Sequence, residues 1–209
     1  MTRHTRLHPE RGEARTRLLE AARDTIRSKG FAASSIDDIC RAAEVSKGAF
    51  FHHFASKDAL GVAAAAFWAE TTTAFFAAAP YHQPSDPLER VLAYVAFRRS
   101  IISEQLWEFT CLVGTMAEEV YATHPAIREA CGASIFGHAA TLEADIAAAM
   151  AQYGVAGSWT AASLARHTQT VIQGAFVLAK AGNDPELARE GLDHLDQYIR
   201  LLFTQNPKE

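Results

Sequence analysis

The segment 34–60 constrains this chain more than any other stretch, because it sets three helix starts and the breaks between them into a very short span. A first helix begins at Ser34 or Ser35, either of whose side-chain oxygens can accept from the unpaired amides of a first turn. Asp37 and Asp38 fall in that turn, where they add a capping-box partner and suit the positive end of the helix dipole. Ile36, Ile39, Cys40 and Ala43 make one apolar strip at helical spacing. Glu44 and Val45 form the turn, with Val45 as the plug between two helices. Ser46 caps the second helix, which opens on Lys47, Gly48 and Ala49. Phe50 and Phe54, four apart, point back into a small core, whereas Phe51 and His52 stay outside. Ser56 caps a third helix with Lys57 in its first turn.

That arrangement is a helix-turn-helix whose second helix suits the major groove of DNA. Gly48 and Ala49 lack the bulk to hold the backbone off a duplex, and amides at a helix start can meet a phosphate. The candidate DNA-binding residues are therefore Ser35, Ser46, Lys47, Gly48, Ala49, Phe51, His52 and Lys57. Charge supports the same division of labour. Residues 1–57 carry a formal +4 and residues 58–209 a formal −8, so a basic front end sits on an acidic body. The first dozen residues, with Arg3, Arg6 and Arg11, lack apolar periodicity and read as a flexible basic arm.

The residues Ile36-x-x-Ile39, Ala43-x-Val45-Ser46-Lys47-Gly48, Phe51-His52-His53-Phe54 and Lys57-x-x-Leu60 resemble the N-terminal domain of the TetR family of transcriptional regulators. The resemblance is close over about residues 13–60. It departs in two places: the family usually has Gly where Glu44 stands, in a turn that favours positive φ, and Tyr where Phe51 stands. The resemblance implies an all-α protein: a three-helix DNA-binding domain with its helix-turn-helix, then a larger helical domain for ligand binding and dimerisation. The expected layout is an arm over 1–12, the helix-turn-helix domain over 13–60 and the body over 61–209. It further implies a homodimer on palindromic operator double-stranded DNA, more often a repressor than an activator, released by a small-molecule effector. A helical adaptor that never touches DNA would explain the helices but not the basic, capped recognition segment.

The rest of the chain also reads as helix. One helix covers 13–29, with Gly30 placed to end it, and the helix from Ser56 runs into the high seventies. Pro80, Pro84 and Pro87 then break the chain, and Asp86-Pro87 makes a cap and first-turn pair. Further helices are predicted over about 87–103, 106–122, 126–153, 160–181 and 185–204. The last two carry the expected dimer surface. Ala161, Ala165, Thr168 and Ala175 permit close approach, with Ile172 and Phe176 on the same side and a stripe of Leu192, Leu195, Ile199, Leu202 and Phe203 on the final helix.

The middle helices are the expected effector site. Phe97, Trp107, Cys111, Met116 and Phe136, with Phe109, supply aromatic and polarisable walls. His167 and Gln173, with Arg98, Gln105 and His138, are candidates to orient a polar group on a small, mainly apolar molecule. Cys111 reads either as a reactive sensor or as an inert thiol; no basic residue adjoins it in sequence, and Glu108 would raise its pKa. Cys40, Cys111 and Cys131 lack metal-ligand spacing, the nine histidines form no catalytic constellation, and no cofactor or enzymatic activity is expected. No signal-peptide pattern occurs, and the apolar run 61–68 is too short to span a bilayer, so the expectation is a soluble cytoplasmic protein with no membrane partner.

Overall fold

Helix caps and breakers lay out the backbone of the computed structural model, which describes residues 11–204 and has no strand among them. The helix α1 (Arg11–Lys29) starts two residues before the expected position and ends at Gly30, whose φ of 90° only glycine adopts without strain. Arg3 and Arg6 of the expected arm lie outside the described residues. Next come α2 (Ile36–Ala42), α3 (Lys47–His53) and α4 (Lys57–Ala77), capped by Ser35, Ser46 and Ser56 respectively. A short 3-10 turn, Pro80–His82, leads to α5 (Pro87–Ser100), where Asp86 accepts from the amides of Leu88 and Glu89.

Two expected helices are each broken in two. The span 106–122 becomes α6 (Leu106–Phe109) and α7 (Leu112–Val120), because Thr110 is extended and its carbonyl accepts from Arg27 Nε of α1 at 2.9 Å. Cys111 then caps α7, its sulfur accepting from Gly114 N at 3.4 Å. The span 126–153 becomes α8 (Pro125–Ala140) and α9 (Glu143–Tyr153), divided at Thr141 and Leu142 and closed by Gly154. The last two, α10 (Ala161–Gly182) and α11 (Glu186–Thr204), form the expected hairpin.

The Thr110 hydroxyl is buried with no hydrogen-bond partner among the described residues. A buried orphan of this kind costs roughly 1–3 kcal/mol, and valine has nearly the same shape. Thr110→Val is therefore expected to stabilise the protein by about 1 kcal/mol. The urea midpoint measures it, and a midpoint that falls refutes the account.

The apolar residues sort into two cores. One joins Leu18, Ile26, Ile39, Phe50 and Leu60 of α1–α4 to Leu112, Met116 and Ile127 of α7 and α8. The front end is thus packed continuously onto the body, and the sequence boundary at residue 60 does not coincide with an edge of this core. The other gathers Val91, Tyr94, Ile146, Ile172, Leu192 and Ile199 between α5, α9, α10 and α11. Gly61 marks a close crossing: a Cβ there would press on the Phe31 ring and the end of the Ile127 side chain, so any larger residue would force those side chains to move. The loop after α1 is held from both sides, since Ala32 N donates to Glu119 of α7 and Ala32 O accepts from Lys57.

By length and composition α4 could cross a bilayer, because the helix carries the 61–68 run on through threonines to Ala77. Here it packs against α1, α7 and α8, with Leu60, Ala64 and Ala65 wholly buried. The small-residue side of α10 packs inward. Ala165, Thr168, Ile172, Ala175 and Phe176 are buried within the chain, and the apolar residues left outside are Val177 and Leu178 on α10 with Tyr198 and Leu201 on α11.

Candidate nucleic-acid interface and body cavity

The candidate recognition surface is built by the caps of α2 and α3. Ser35 Oγ accepts from Asp38 N while the Asp38 carboxylate accepts from Ser35 N, each at 3.1 Å, so this serine is engaged in a capping box. Lys29 and Ser35 hydrogen-bond the Asp38 carboxylate and hold it well below the usual carboxylate range. Ser46 Oγ accepts from Ala49 N at 3.1 Å. Gly48 is exposed, and a Cβ there would meet nothing nearer than Ser46 Oγ, so the start of α3 is open to a duplex. Phe51 and His52 are exposed, Ala49 is half-buried, and Phe50 is fully buried beneath them.

Three placements qualify the expectations. Lys47 forms an ion pair with Asp37 at 2.8 Å, so a phosphate or base must compete with that carboxylate. Lys57 is half-buried, its ammonium 4.4 Å from the Phe31 ring centre and 3.3 Å from the Ala32 carbonyl, and burial lowers its pKa. This lysine joins α4 to the loop before α2, an interaction between parts that sequence spacing does not reveal. Glu44 has φ of 53°, the left-handed conformation expected of a turn that usually holds glycine, at a cost of roughly 1–2 kcal/mol. Asp37→Asn is expected to tighten DNA binding a few-fold and steepen its salt slope by up to about one unit, because Lys47 is then free for phosphate. A salt titration of DNA binding reads both, and unchanged or weaker binding rules out the competition.

Behind this surface lies a cavity of about 380 Å³. Arg23 and Arg27 of α1 enter it, with Trp68, Phe75 and Phe76 of α4 as one wall. Arg98 of α5, Phe109, Cys111, His138 of α8, and Gln169, Gln173 and Phe176 of α10 complete much of the lining. Gln169 Nε2 donates to Tyr94 Oη at 3.0 Å, and Tyr94 Oη lies 2.9 Å from His138 Nε2. Burial and the neighbouring Arg98 pull His138 down to about 4, so the ring is neutral near pH 7 and its proton sits on Nδ1 when Tyr94 donates to Nε2.

Of the seven residues expected to bind an effector, Cys111 and Gln173 line this cavity, as do the accessory candidates Phe109, Arg98 and His138. The others do not. Met116 is fully buried in the front-end core because α7 turns that side toward α1. Trp107 and Phe136 are exposed, and the His167 ring lies tilted against Tyr198, 5.1 Å between centres, on the α10–α11 surface. Phe97 lies one layer behind the wall, 5.5 Å from Phe75 and 5.8 Å from Phe76 by ring centres. Arg27, Trp68, Phe75 and Phe76 sit on α1 and α4, whose sequence patterns give no sign that those helices border a cavity. Cys111 also gains cationic neighbours that sequence adjacency hides, Arg27 and Lys180.

Two family models match the chain. Residues 18–64 match the model described as bacterial regulatory proteins, tetR family. Residues 87–190 match the C-terminal domain of LmrA/YxaF-like transcriptional regulators. The chain belongs to the TetR family of transcriptional regulators. The chain is 41% identical over 54 residues to the HTH-type transcriptional regulator UidR of Escherichia coli K12, covering 26% of this chain and 28% of UidR. A longer match, 25% identical over 114 residues, joins it to the transcriptional regulator AcuR of Cereibacter sphaeroides, over 54% of this chain and 52% of AcuR. The chain thus spans about a quarter to half of the length of these curated relatives. The TetR-family fold itself extends further: a regulator from Agrobacterium tumefaciens superposes with a TM-score of 0.79 over 90% of this chain and 98% of its own, at 21% identity.

Proposed function

We propose that this TetR-family chain is a ligand-responsive transcriptional repressor that binds palindromic operator DNA as a homodimer in the cytoplasm and is released by a small, mainly apolar effector. The observation that carries the reading is the cavity bordered by α1, a helix of the DNA-binding front end. A molecule seated there touches both the body and the element that supports α2 and α3. The proposed division is a DNA-binding domain up to residue 60, which takes in Arg11 and Gly12 of α1, and a body over 61–209; the rest of the expected arm over 1–12 lies outside the described residues. Gly48, Ala49, Phe51 and His52 face the duplex, and Lys47 joins them once it leaves Asp37.

The dimer forms through α10 and α11, whose exposed Val177, Leu178, Tyr198 and Leu201 supply an uncovered apolar stripe on the hairpin. Two recognition helices in a two-fold dimer then sit about 35 Å apart, one turn of DNA. Effector binding favours a body state in which α1 and α4 shift and that separation changes, so the effector works through its differential affinity for the two states.

Footprinting on the genomic fragments that the protein retains tests the DNA half of the reading, with a two-fold site protected on one face of the duplex as the supporting result. Sedimentation of the protein and of Leu178→Glu tests the dimer half. A monomeric unsubstituted protein, or fragments with no symmetric protected site, contradicts the reading. The effector half fails if no cell extract or compound library alters DNA affinity.

A further inference from the structure

The cavity holds more positive charge than its apolar walls need. Arg23 is neutralised by Asp24, which accepts from its Nε and Nη2 at 2.6 and 2.9 Å. Arg27 and Arg98 are different. Among the described residues no carboxylate lies within ion-pair distance of either guanidinium. Arg27 uses one N–H on the Thr110 carbonyl and stacks over Trp68 at 5.0 Å. Arg98 lies over the rings of Phe76 and Phe176, at 5.1 and 5.5 Å. Half-buried cations without an anionic partner are uncommon, because desolvation is compensated only by pairing and hydrogen bonding. Burial already pulls Arg27 down to about 10.

We propose that the effector is a small organic acid whose carboxylate is met by Arg27 and Arg98, while its compact apolar body rests on Trp68, Phe75 and Phe76. The proposal rests on the effector reading above and names the chemical class. Guanidinium forks match a carboxylate better than any neutral group, and charge-assisted bonds are the stronger kind. Glu108, which is exposed and lines the same cavity, sets the site against a polyanion. Arg27 belongs to α1 and also holds the Thr110 carbonyl between α6 and α7. An anion that engages Arg27 therefore acts on the joint between front end and body.

Calorimetry on the full chain with benzoate and phenylacetate, each beside its neutral amide, tests this. The acids are expected to bind about tenfold or more tighter than the amides, and only the acids should release retained DNA fragments. Arg98→Gln should erase the preference for acid, and Arg98→Lys, which keeps the charge, should retain it; thermal melting of both variants checks that they fold. Amides that bind as well as acids overturn the proposal, as does an acid preference that survives Arg98→Gln or a failure of every acid to bind. Release of DNA by amides or by other neutral compounds would overturn the anion and leave the effector reading standing. Failure of every compound and extract to change DNA affinity would remove the effector reading itself.

Discussion

Phe50→Ala is expected to destabilise the front end by about 3–5 kcal/mol and to abolish DNA binding with it. Phe50 is fully buried, in ring contact with Phe54 at 5.8 Å and Phe51 at 5.2 Å. The helix it anchors has seven residues, too few to persist without tertiary support. Truncating this ring removes apolar contact from the core that joins α3 to α1. Urea unfolding followed by circular dichroism gives the cost, and retention on DNA gives the functional loss. Phe51→Ala is the control: that ring is half-exposed, so its removal should leave stability within about 1 kcal/mol. Equal costs at the two positions would mean that the front-end core is not organised around Phe50.

The second large effect is acid lability carried by His138. Its pKa is about 4 in the folded chain, against about 6.5 for an ordinary histidine, because burial and Arg98 both disfavour the imidazolium. Stability from the neutral ring is fully present above pH 6.5 and is lost as pH falls toward 4, since the unfolded chain takes up a proton that the folded one refuses. The shift corresponds to at most about 3 kcal/mol. His138→Gln keeps a polar group for Tyr94 but cannot titrate. The difference in unfolding free energy between the native chain and His138→Gln should therefore shrink in favour of the variant between pH 6.5 and 4. A difference independent of pH across that window would mean that His138 is not held neutral.

Local chemistry explains how much of the front end could be read directly. Ser35, Ser46 and Ser56 act on amides within the next turn, Gly30 ends α1 through its own backbone, and Glu44 adopts the turn conformation expected at its position. Each of those interactions spans only a few residues, so sequence spacing contains it. The breaks at Thr110 and at Thr141 and Leu142 were not legible for the opposite reason. Apolar periodicity runs through both, and the first is fixed by Arg27, 83 residues away.

The same distinction separates the two candidate sites. Gly48, Phe51 and His52 lie on one short helix, and its cap and period alone set their exposure. The cavity depends on which sides of α1, α4, α5, α8 and α10 meet, and aromatic content cannot tell a wall residue such as Phe76 from an outward one such as Phe136. By itself the sequence determined the helical class, the family and the short capped helix α3, because caps, turns and helical period act over a few residues. Only the tertiary structure decided that Lys57 serves the α1–α2 loop, that the small-residue side of α10 packs inward, and that two arginines without carboxylate partners share one cavity. Those outcomes depend on desolvation and on contacts between distant helices, which exist only once the chain has folded.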